Sequence, residues 1–518
     1  MTHLWAHMQI DPNQPIPIYF QLKTLLLEEI LNGTYPPGSR LPTEHELCDR
    51  LGVSRTPVSR ALSELADEGV ILRRRRSGSF VNPHWGPRPG AEGELRVIVS
   101  DAGFEEQIRS AKLPAVAANV SVVPFADLRR TLTHAVAEGL APDLAIIDAV
   151  WVREMSDAGF LWDLRELDDH WVSDELSRDL LPPFTSNLKD PVHAIVAEAN
   201  VAGLWFRRDL LAAAGQHPPT TWQELVEAAK AIAAHDSEIT PLVMPGGTRA
   251  GETTTYCLLA LLATNGVKVL ADGGVALDSD ATVEALRFVR GLVEAELLPT
   301  EVVGFAWDRP ITRLARGRAA MSFGGSYESR ALATVTGLAI EELDSTYGFV
   351  AMPAGPRGSI ASVAGGMAYA IFRQSKRPHL AMNLLKTAVS ADSLAELARS
   401  TAKIPTRRSA VELVGRDNPF VAQTAQILEW AYTRPETPMY QHVSLQLQIM
   451  LEHEITSQLT PAAAAGRAAE HIGEAQRTGL EKLLHLGAYS PGLSATRQSG
   501  RTLLVSHLGC WHETLLAV

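Results

Sequence analysis

The amino-acid sequence predicts an α/β protein in which a small helical module with a hairpin precedes a larger domain of two α/β lobes. Three observations lead to this fold class. Residues 15–81 contain three helical segments and an arginine-rich hairpin. Residues 83–94 are rich in proline and glycine, which indicates a linker. Over residues 95–486 short apolar strands alternate with amphipathic helices, and this stretch is long for a single sheet.

The helix ends define the first module. Thr43 and Glu46 have the spacing of a capping box, in which each side chain accepts a hydrogen bond from the backbone amide of the other residue, and Gly52 ends that helix. Ser54 is expected to cap the next helix. The turn between the two helices is therefore short. The second of them carries apolar residues at helical spacing, namely Val58, Leu62 and Leu65.

The outer face of this second helix and the hairpin after it have the properties of a DNA-binding surface. A helix with small polar side chains fits the major groove, and its N-terminal amides point at phosphates. Arginines in the hairpin are suited to the sugar-phosphate backbone or the minor groove. A domain that is kept only for packing is the alternative. The residues predicted to contact DNA are Arg40, His45, Ser54, Arg55, Thr56, Ser59, Arg60, Arg74, Arg75, Arg76, Ser77 and Gly78.

The order of helices, turn and arginine-rich hairpin resembles the winged helix-turn-helix of the GntR family of bacterial transcription regulators. The resemblance covers residues 1–82 and implies binding to a double-stranded DNA operator. One winged helix covers about half of a palindromic site, so a homodimer is expected. The family usually has a basic residue, an arginine and a glycine where this chain has His45, Ser59 and Arg76. These departures concern the operator sequence more than the ability to bind DNA.

Composition places the protein among globular proteins. The chain has 518 residues, of which 46% are hydrophobic, and a net charge of −12. In residues 1–81, Lys23 and eight arginines balance nine acidic residues, so the larger domain is the acidic one and a poor partner for DNA. The sequence shows no export signal and no apolar run of about 18 residues, which predicts a cytoplasmic protein. Cys48, Cys257 and Cys510 are isolated, and neither a metal nor a cofactor is expected.

Four segments of the larger domain resemble the extracellular solute-binding proteins of sugar ABC importers. They are AGLWFRRDLLAAAGQHPPTTWQELVEAAKAI, FAWDRPITRLARGRAAMSFGGSYES, YGFVAMPAGPRGSIASVAGGMAYAIF and RPHLAMNLLKTAVSADSLAELARSTAKIPTRRSA. All four occur in the order that the family has. The resemblance implies a periplasmic-binding-protein-like fold, with two lobes that close about a hinge on a small solute. The expected effector is a sugar or an oligosaccharide.

The candidate ligand residues follow from the chemistry of carbohydrates, which present apolar ring faces and rims of hydroxyls. Trp151 follows a predicted strand, at the edge where open α/β sheets bind ligands. Asn200 and Tyr327 match positions where the resembling family has polar and stacking contacts. Packing is the alternative for a tryptophan and is the role assigned to Trp222, whereas Arg407 could cover a helix end. The predicted ligand residues are Trp151, Glu198, Asn200, Trp307, Asp308, Tyr327, Gly366 and Arg407.

Two other functions fit the sequence less well. Some GntR-type regulators carry an aminotransferase-like domain that binds pyridoxal phosphate through a lysine in a serine- and glycine-rich setting. The lysines that lack this setting are Lys230, Lys268, Lys386 and Lys403. A transport component needs an export signal. The sequence therefore predicts a non-enzymatic regulator whose solute-binding-type domain alters operator binding. Residues 487–518 are a tail that matches neither family, and its second half, LLVSHLGCWHETLLAV, could form a short helix.

Overall fold

The chain forms two compact units, Met1–Arg96 and Val97–Val518. The computed structural model describes residues 18–31, 34–67, 70–74, 78–83, 94–111, 117–185, 188, 191–271, 274–489, 495–498 and 501–504. Most of the predicted linker therefore lies outside the described residues. None of the helices in the described part of the chain combines the length and the apolar character that a membrane span requires.

The first unit contains three helices and a two-stranded wing. Its elements are α1 (Ile18–Leu31), α2 (Glu44–Leu51), α3 (Arg55–Asp67), β1 (Ile71–Arg74) and β2 (Gly78–Val81). The predicted capping box is present, since Thr43 accepts from the amide of Glu46 and its own amide donates back to that carboxylate. Gly52 adopts the left-handed conformation that ends α2. The buried face of α3 packs against α1, with a core that includes Leu22, Leu26, Leu47, Val58, Leu62 and Leu65.

Helices and strands alternate through most of the rest of the chain. The helices are α4 (Ala102–Ser110), α5 (Phe125–Ala137), α6 (Val152–Asp157), α7 (Leu164–His170), α8 (Pro182–Thr185), α9 (Arg208–Ala213), α10 (Trp222–His235), α11 (Glu252–Thr264), α12 (Asp280–Glu294), α13 (Arg309–Ala315), α14 (Ser329–Thr336), α15 (Pro378–Ala388), α16 (Ala391–Thr401), α17 (Arg408–Val414), α18 (Pro419–Ile427), α19 (Tyr440–Ile455) and α20 (Pro461–Tyr489). The strands are β3 (Glu94–Val99), β4 (Ala117–Val122), β5 (Leu144–Asp148), β6 (Ala194–Arg207), β7 (Thr240–Val243), β8 (Leu270–Ala271), β9 (Gly274–Val275), β10 (Ala319–Gly325), β11 (Tyr347–Ala351), β12 (Ser362–Ile371), β13 (Ile404–Pro405), β14 (Ala431–Thr433), β15 (Ala495–Gln498) and β16 (Arg501–Leu504).

Strand β6 belongs to both lobes of the larger unit. The main sheet has the order β4-β3-β5-β12-β6-β10-β7, with β11 and β13 also paired to β6. Residues 194–201 of β6 pair with β12 in the first lobe, which also contains β3, β4, β5 and β13. Residues 202–207 pair with β10 and β11 in the second lobe, which also contains β7. The two predicted lobes are thus joined by a strand that runs through both.

The core of the second lobe is built from α10, α11, α12, α19 and α20 around the sheet. Helix α11 is buried along most of its length, which its run of leucines and small residues allows. Trp222 is buried and stacks on Phe288 with 4.3 Å between ring centroids, which agrees with the packing role expected for it.

The C-terminal segment differs from the expectation. Helix α20 continues to Tyr489, and a small hairpin of β15 and β16 follows. Leu503 and Leu504 lie in that hairpin and not in a helix. Pairing with another strand gives their backbone groups partners, whereas a short isolated helix is marginal in water. Residues 505–518 lie outside the described part of the chain.

Candidate functional site

The first unit has a groove between the start of α2, the start of α3 and the wing. Its volume is about 790 Å³. The residues that line it are Thr43, Glu44, His45, Cys48, Arg55, Arg73, Arg74, Gly78 and Ser79. Four of the predicted DNA-contacting residues are among them. The groove therefore brings the first turn of α3 and the strands of the wing to one surface.

Glu44 organises this groove, and the sequence analysis did not select it. Its Oε2 lies 2.9 Å from Nε of Arg55, and its Oε1 lies 2.6 Å from a terminal nitrogen of Arg73. The hydrogen bond from Arg55 is the main reason why the pKa of Glu44 is lowered from its ordinary value. One carboxylate thus holds an arginine of the helix and an arginine of the wing. The only signal in the sequence was that Glu44 lies in the first turn of α2. Acidic residues are common at that position, because they interact favourably with the positive end of the helix dipole.

The other predicted DNA contacts that the structure describes do not line the groove. Arg60 is bound to Glu64 and lies over the ring of Tyr19, 3.6 Å from its centroid. Arg40 forms an isolated antiparallel bridge with Phe80 of the wing, and its guanidinium lies beside Gly78. Ser54 and Thr56 are exposed, and Ser59 is half-buried. Arg75, Arg76 and Ser77 lie outside the described residues. Contact with DNA stays a prediction for each of them.

The larger unit brings strand ends of both lobes together near the middle of β6. Asp148, the last residue of β5, is level with Met367 of β12, which is paired with Glu198 of β6. Gly325, the last residue of β10, is paired with Ala202 of the same strand. Loops at the carboxyl ends of parallel strands are where open α/β sheets bind ligands. This junction of the lobes is the candidate ligand cleft.

Arg434 forms ion pairs with one carboxylate of each lobe. Among the described residues of the cleft, no other residue does so. The guanidinium of Arg434 lies 2.6 Å from Asp148 and 2.9 Å from Glu252 at the start of α11. Tyr440 and Ser444 also donate to Glu252. Burial opposes the charge of Arg434, yet its carboxylate neighbours raise its pKa well above the ordinary value. Burial also opposes the charge of Glu252. It therefore raises the pKa of that carboxyl, and the lowering effect of Arg434 is smaller.

Aromatic and amide groups lie beside this cluster. The hydroxyl of Tyr256 donates to Oδ1 of Asn200 over 2.7 Å, and the ring of Tyr256 lies 6.1 Å from that of Tyr327. The guanidinium of Arg434 is 5.8 Å from the Tyr256 ring. A side chain on Gly365 would come within 2.5 Å of Oδ1 of Asn200, so the Asn200 side chain would have to shift to make room for it. The structure thus brings the predicted residues Asn200 and Tyr327 together, through Tyr256.

Two predicted tryptophans differ in their surroundings. Trp151 follows Asp148 in a short 3-10 turn and is only 7% exposed, with its ring stacked on Phe125. Trp307 is 49% exposed and precedes α13 together with Asp308, which makes no side-chain cap to that helix. A ligand contact for these residues stays a prediction.

Three other predicted ligand residues make contacts within the first lobe. Glu198 is buried and accepts a hydrogen bond of 2.6 Å from Lys403, and burial raises its pKa despite that lysine. Gly366 pairs with Ala199 in the sheet. Arg407 binds Asp179 and donates to the carbonyl of Val389, directly after α15. This position fits the alternative in which Arg407 covers a helix end.

The cleft residues that the sequence analysis missed are Asp148, Glu252, Tyr256, Arg434 and Tyr440. Asp148 ends the predicted strand DLAIID, so its position was visible, but nothing near it in the sequence marked it as a ligand residue. Arg434 follows Asp148 by 286 residues, and no local pattern connects them. Carboxylates, an amide, a guanidinium and phenols beside aromatic rings match the hydrogen-bonding needs of a polyhydroxylated solute.

Both parts of the chain match known families. A family model of bacterial extracellular solute-binding proteins matches residues 100–395, and one of bacterial regulatory proteins of the gntR family matches residues 18–81. Over 333 residues the chain is 24% identical to a putative binding protein of Brucella abortus (strain 2308), which covers 62% of this chain and 78% of that protein. Over 103 residues it is 37% identical to the transcriptional repressor NagR of Bacillus subtilis (strain 168), which covers 20% of this chain and 39% of NagR.

Solved structures show the same fold for the larger unit. The GacH receptor of Streptomyces glaucescens has a TM-score of 0.65 at 21% identity, and the match covers 74% of this chain and 98% of the receptor. Because residues 100–395 match a family of solute-binding proteins, the aminotransferase-like alternative is not favoured. The chain belongs to the bacterial extracellular solute-binding protein family, and it carries ahead of that domain a DNA-binding domain of the gntR family of bacterial regulatory proteins.

Proposed function

We propose that the protein is a transcription regulator in which a sugar or an oligosaccharide binds the cleft of the solute-binding domain and alters the affinity of the winged helix for its operator. The observation that carries this proposal is the cluster of Arg434, Asp148 and Glu252 beside Tyr256 and Tyr327. This cluster contains side chains of both lobes, and it lies where a solute bound between the lobes would contact each of them. This proposal includes the eight ligand residues and the twelve DNA-contacting residues of the sequence analysis. Arg407 is the least favoured of them, because its side chain already binds Asp179 and the carbonyl of Val389.

Known relatives of similar fold support the class of effector. The GacH receptor was crystallised with acarbose. A structural relative from Arthrobacter globiformis, with a TM-score of 0.63 and 22% identity, binds cyclic α-maltosyl-1,6-maltose. Both ligands are oligosaccharides. For the first unit, the relative NagR is a repressor.

Lobe closure provides a route from ligand to DNA. A ligand that bonds Asp148 in the first lobe and Tyr327 in the second favours the arrangement in which the two are close, and the lobes then rotate about β6, the strand that they share. We further propose a cytoplasmic homodimer, because a two-fold operator is matched by two winged helices. The units proposed for this role are residues 1–82 for DNA, residues 83–94 for the connection, residues 95–486 for sensing and residues 487–518 for the tail.

A reciprocal titration tests the proposal. A thermal-shift screen of saccharides first identifies a ligand, because one at 100 times its dissociation constant stabilises the protein by about 2.7 kcal/mol. The same ligand is then titrated into the protein with and without a saturating operator duplex selected from random DNA. Linkage requires that operator and ligand change each other's affinity by one factor, commonly about 5- to 150-fold. Identical ligand dissociation constants in both titrations would contradict the proposed coupling.

A further inference from the structure

Phe125 is a large apolar side chain left open at the ligand-binding edge of the first lobe. It is the first residue of α5 and is 46% exposed. Its ring stacks on that of Trp151, with 5.4 Å between centroids and 22° between planes. One face of the Phe125 ring is therefore fixed against a buried tryptophan, and exposure of this size leaves the other face open to solvent.

The sheet places this ring on the same edge as Asp148. The amide of Val123, just after β4, donates to the carbonyl of Val99 at the end of β3 over 2.8 Å, so the two strands end at the same level. Strand β3 is parallel to β5, which ends at Asp148. The carboxyl ends of all three strands hence form one edge. Phe125 and Trp151 lie on it, one after β4 and one after β5.

An exposed phenylalanine alone has no special meaning, because single apolar residues are common on protein surfaces. The stack with Trp151 distinguishes this one. Aromatic pairs prefer offset stacking, and Trp151 holds the ring of Phe125 in one orientation, so a ligand that stacks on it does not have to order a free side chain. A flat apolar face on the same sheet edge as Asp148 suits a pyranose ring, whose axial hydrogens form an apolar face and whose hydroxyls form the rim.

We propose that the outer face of Phe125 is the stacking platform for a pyranose ring of the effector and that Trp151 serves as the support behind it. This inference rests on the proposed saccharide sensing and assigns the contact to a residue that the sequence analysis passed over. Trp151 then acts through Phe125.

The test uses the full-length protein and isothermal titration calorimetry with maltose, maltotriose and trehalose. The saccharide that binds the wild type most tightly is then titrated into four variants. Phe125→Ala and Phe125→Leu remove the aromatic face and should weaken binding about tenfold or more, because stacking adds to the burial of apolar area. Phe125→Trp keeps an aromatic face and should bind within a few-fold of the wild type. Val122→Ala is the matched control, since Val122 is 43% exposed and lies three residues earlier.

The outcomes separate this inference from the proposal beneath it. Binding by Phe125→Ala and Phe125→Leu that equals that of Val122→Ala would overturn the platform and leave saccharide sensing intact. A wild type that binds neither these three saccharides nor any other saccharide of the thermal-shift screen would overturn both. Melting temperatures of the unliganded variants are measured alongside, so a loss of affinity in a variant that melts like the wild type is not a loss of folding.

Discussion

The guanidinium of Arg434 lies 2.6 Å from the carboxylate of Asp148, and the two side chains are only 6% and 8% exposed. This ion pair is therefore shielded from water at the junction of the two lobes. A buried ion pair adds little to the free energy of unfolding. Removing one partner nevertheless destabilises the protein strongly, because the other charge then stays buried without compensation.

Replacing Arg434 should thus destabilise the protein strongly. Arg434→Met keeps much of the side-chain volume but leaves the buried Asp148 and the half-buried Glu252 without a cation, and we expect a loss of about 3–5 kcal/mol in the free energy of unfolding. Urea denaturation measures it. The control is Arg357→Met, because the pair of Arg357 and Glu284 is largely exposed and should cost about 1 kcal/mol at most. Similar losses of stability in Arg434→Met and Arg357→Met would contradict the conclusion that the ion pair of Arg434 is shielded from water.

Arg55 and Arg75 should affect DNA binding in different ways. Arg55 begins α3 and is predicted to reach base edges, so Arg55→Ala should weaken binding to a selected operator more than to random duplex. Arg75 is predicted to contact phosphates, so Arg75→Ala should weaken both alike and reduce the salt dependence. Fluorescence anisotropy at several salt concentrations distinguishes these outcomes. Equal losses on both duplexes for Arg55→Ala would assign Arg55 to the phosphates.

The sequence predicted those parts of the fold that local pattern determines. The capping box of Thr43 and the end of α2 at Gly52 were predicted because each depends on residues within one turn. Asn200 and Tyr327 were selected because the resembling family marks those positions. The ion pairs of Arg434 with Asp148 and Glu252 were not predicted, because they depend on which distant segments the fold brings together. Arg407 has the chemistry of a ligand residue, and its contacts with Asp179 and Val389 fit the alternative in which it covers a helix end.

Tyr327 should contribute to both ligand affinity and stability. It is packed against the core of the second lobe, and its hydroxyl lies 3.4 Å from Oγ1 of Thr253. Tyr327→Ala should cost on the order of 1–3 kcal/mol of saccharide affinity and also lower the unliganded melting temperature. Tyr327→Phe keeps the ring and should leave both nearly unchanged. A weak ligand effect with a large loss of stability in Tyr327→Ala would assign the side chain to the core alone.

Glu328 should make stability depend on pH. Burial raises its pKa from 4.5 to about 8, although the amide of Gly325 donates to it. Between these two values the folded state retains a proton that the unfolded chain has released, so the free energy of unfolding decreases as pH rises through that range. The slope that Glu328 contributes is at most about 1.4 kcal/mol per pH unit.

The matched variant is Glu328→Gln, which cannot ionise. Relative to the wild type it should gain melting temperature steadily as the pH is raised from the acidic to the alkaline end of that range. The exposed Glu396→Gln serves as the control and should follow the wild type throughout. A constant difference between Glu328→Gln and the wild type at every pH would show that the carboxyl is ionised in the folded state.

Strand β6 is shared by both lobes, and this has a consequence for the order in which the chain folds during synthesis. The first lobe lacks a central strand until β12 has left the ribosome, whereas the winged helix is complete at Val81. At the rates at which chains are made, about 5–20 residues per second, the interval between the two amounts to roughly 15–60 s. Throughout that time a nascent chain carries a finished DNA reader without a finished sensor. The proposed control by the effector therefore cannot begin until the sensor is complete, long after the winged helix.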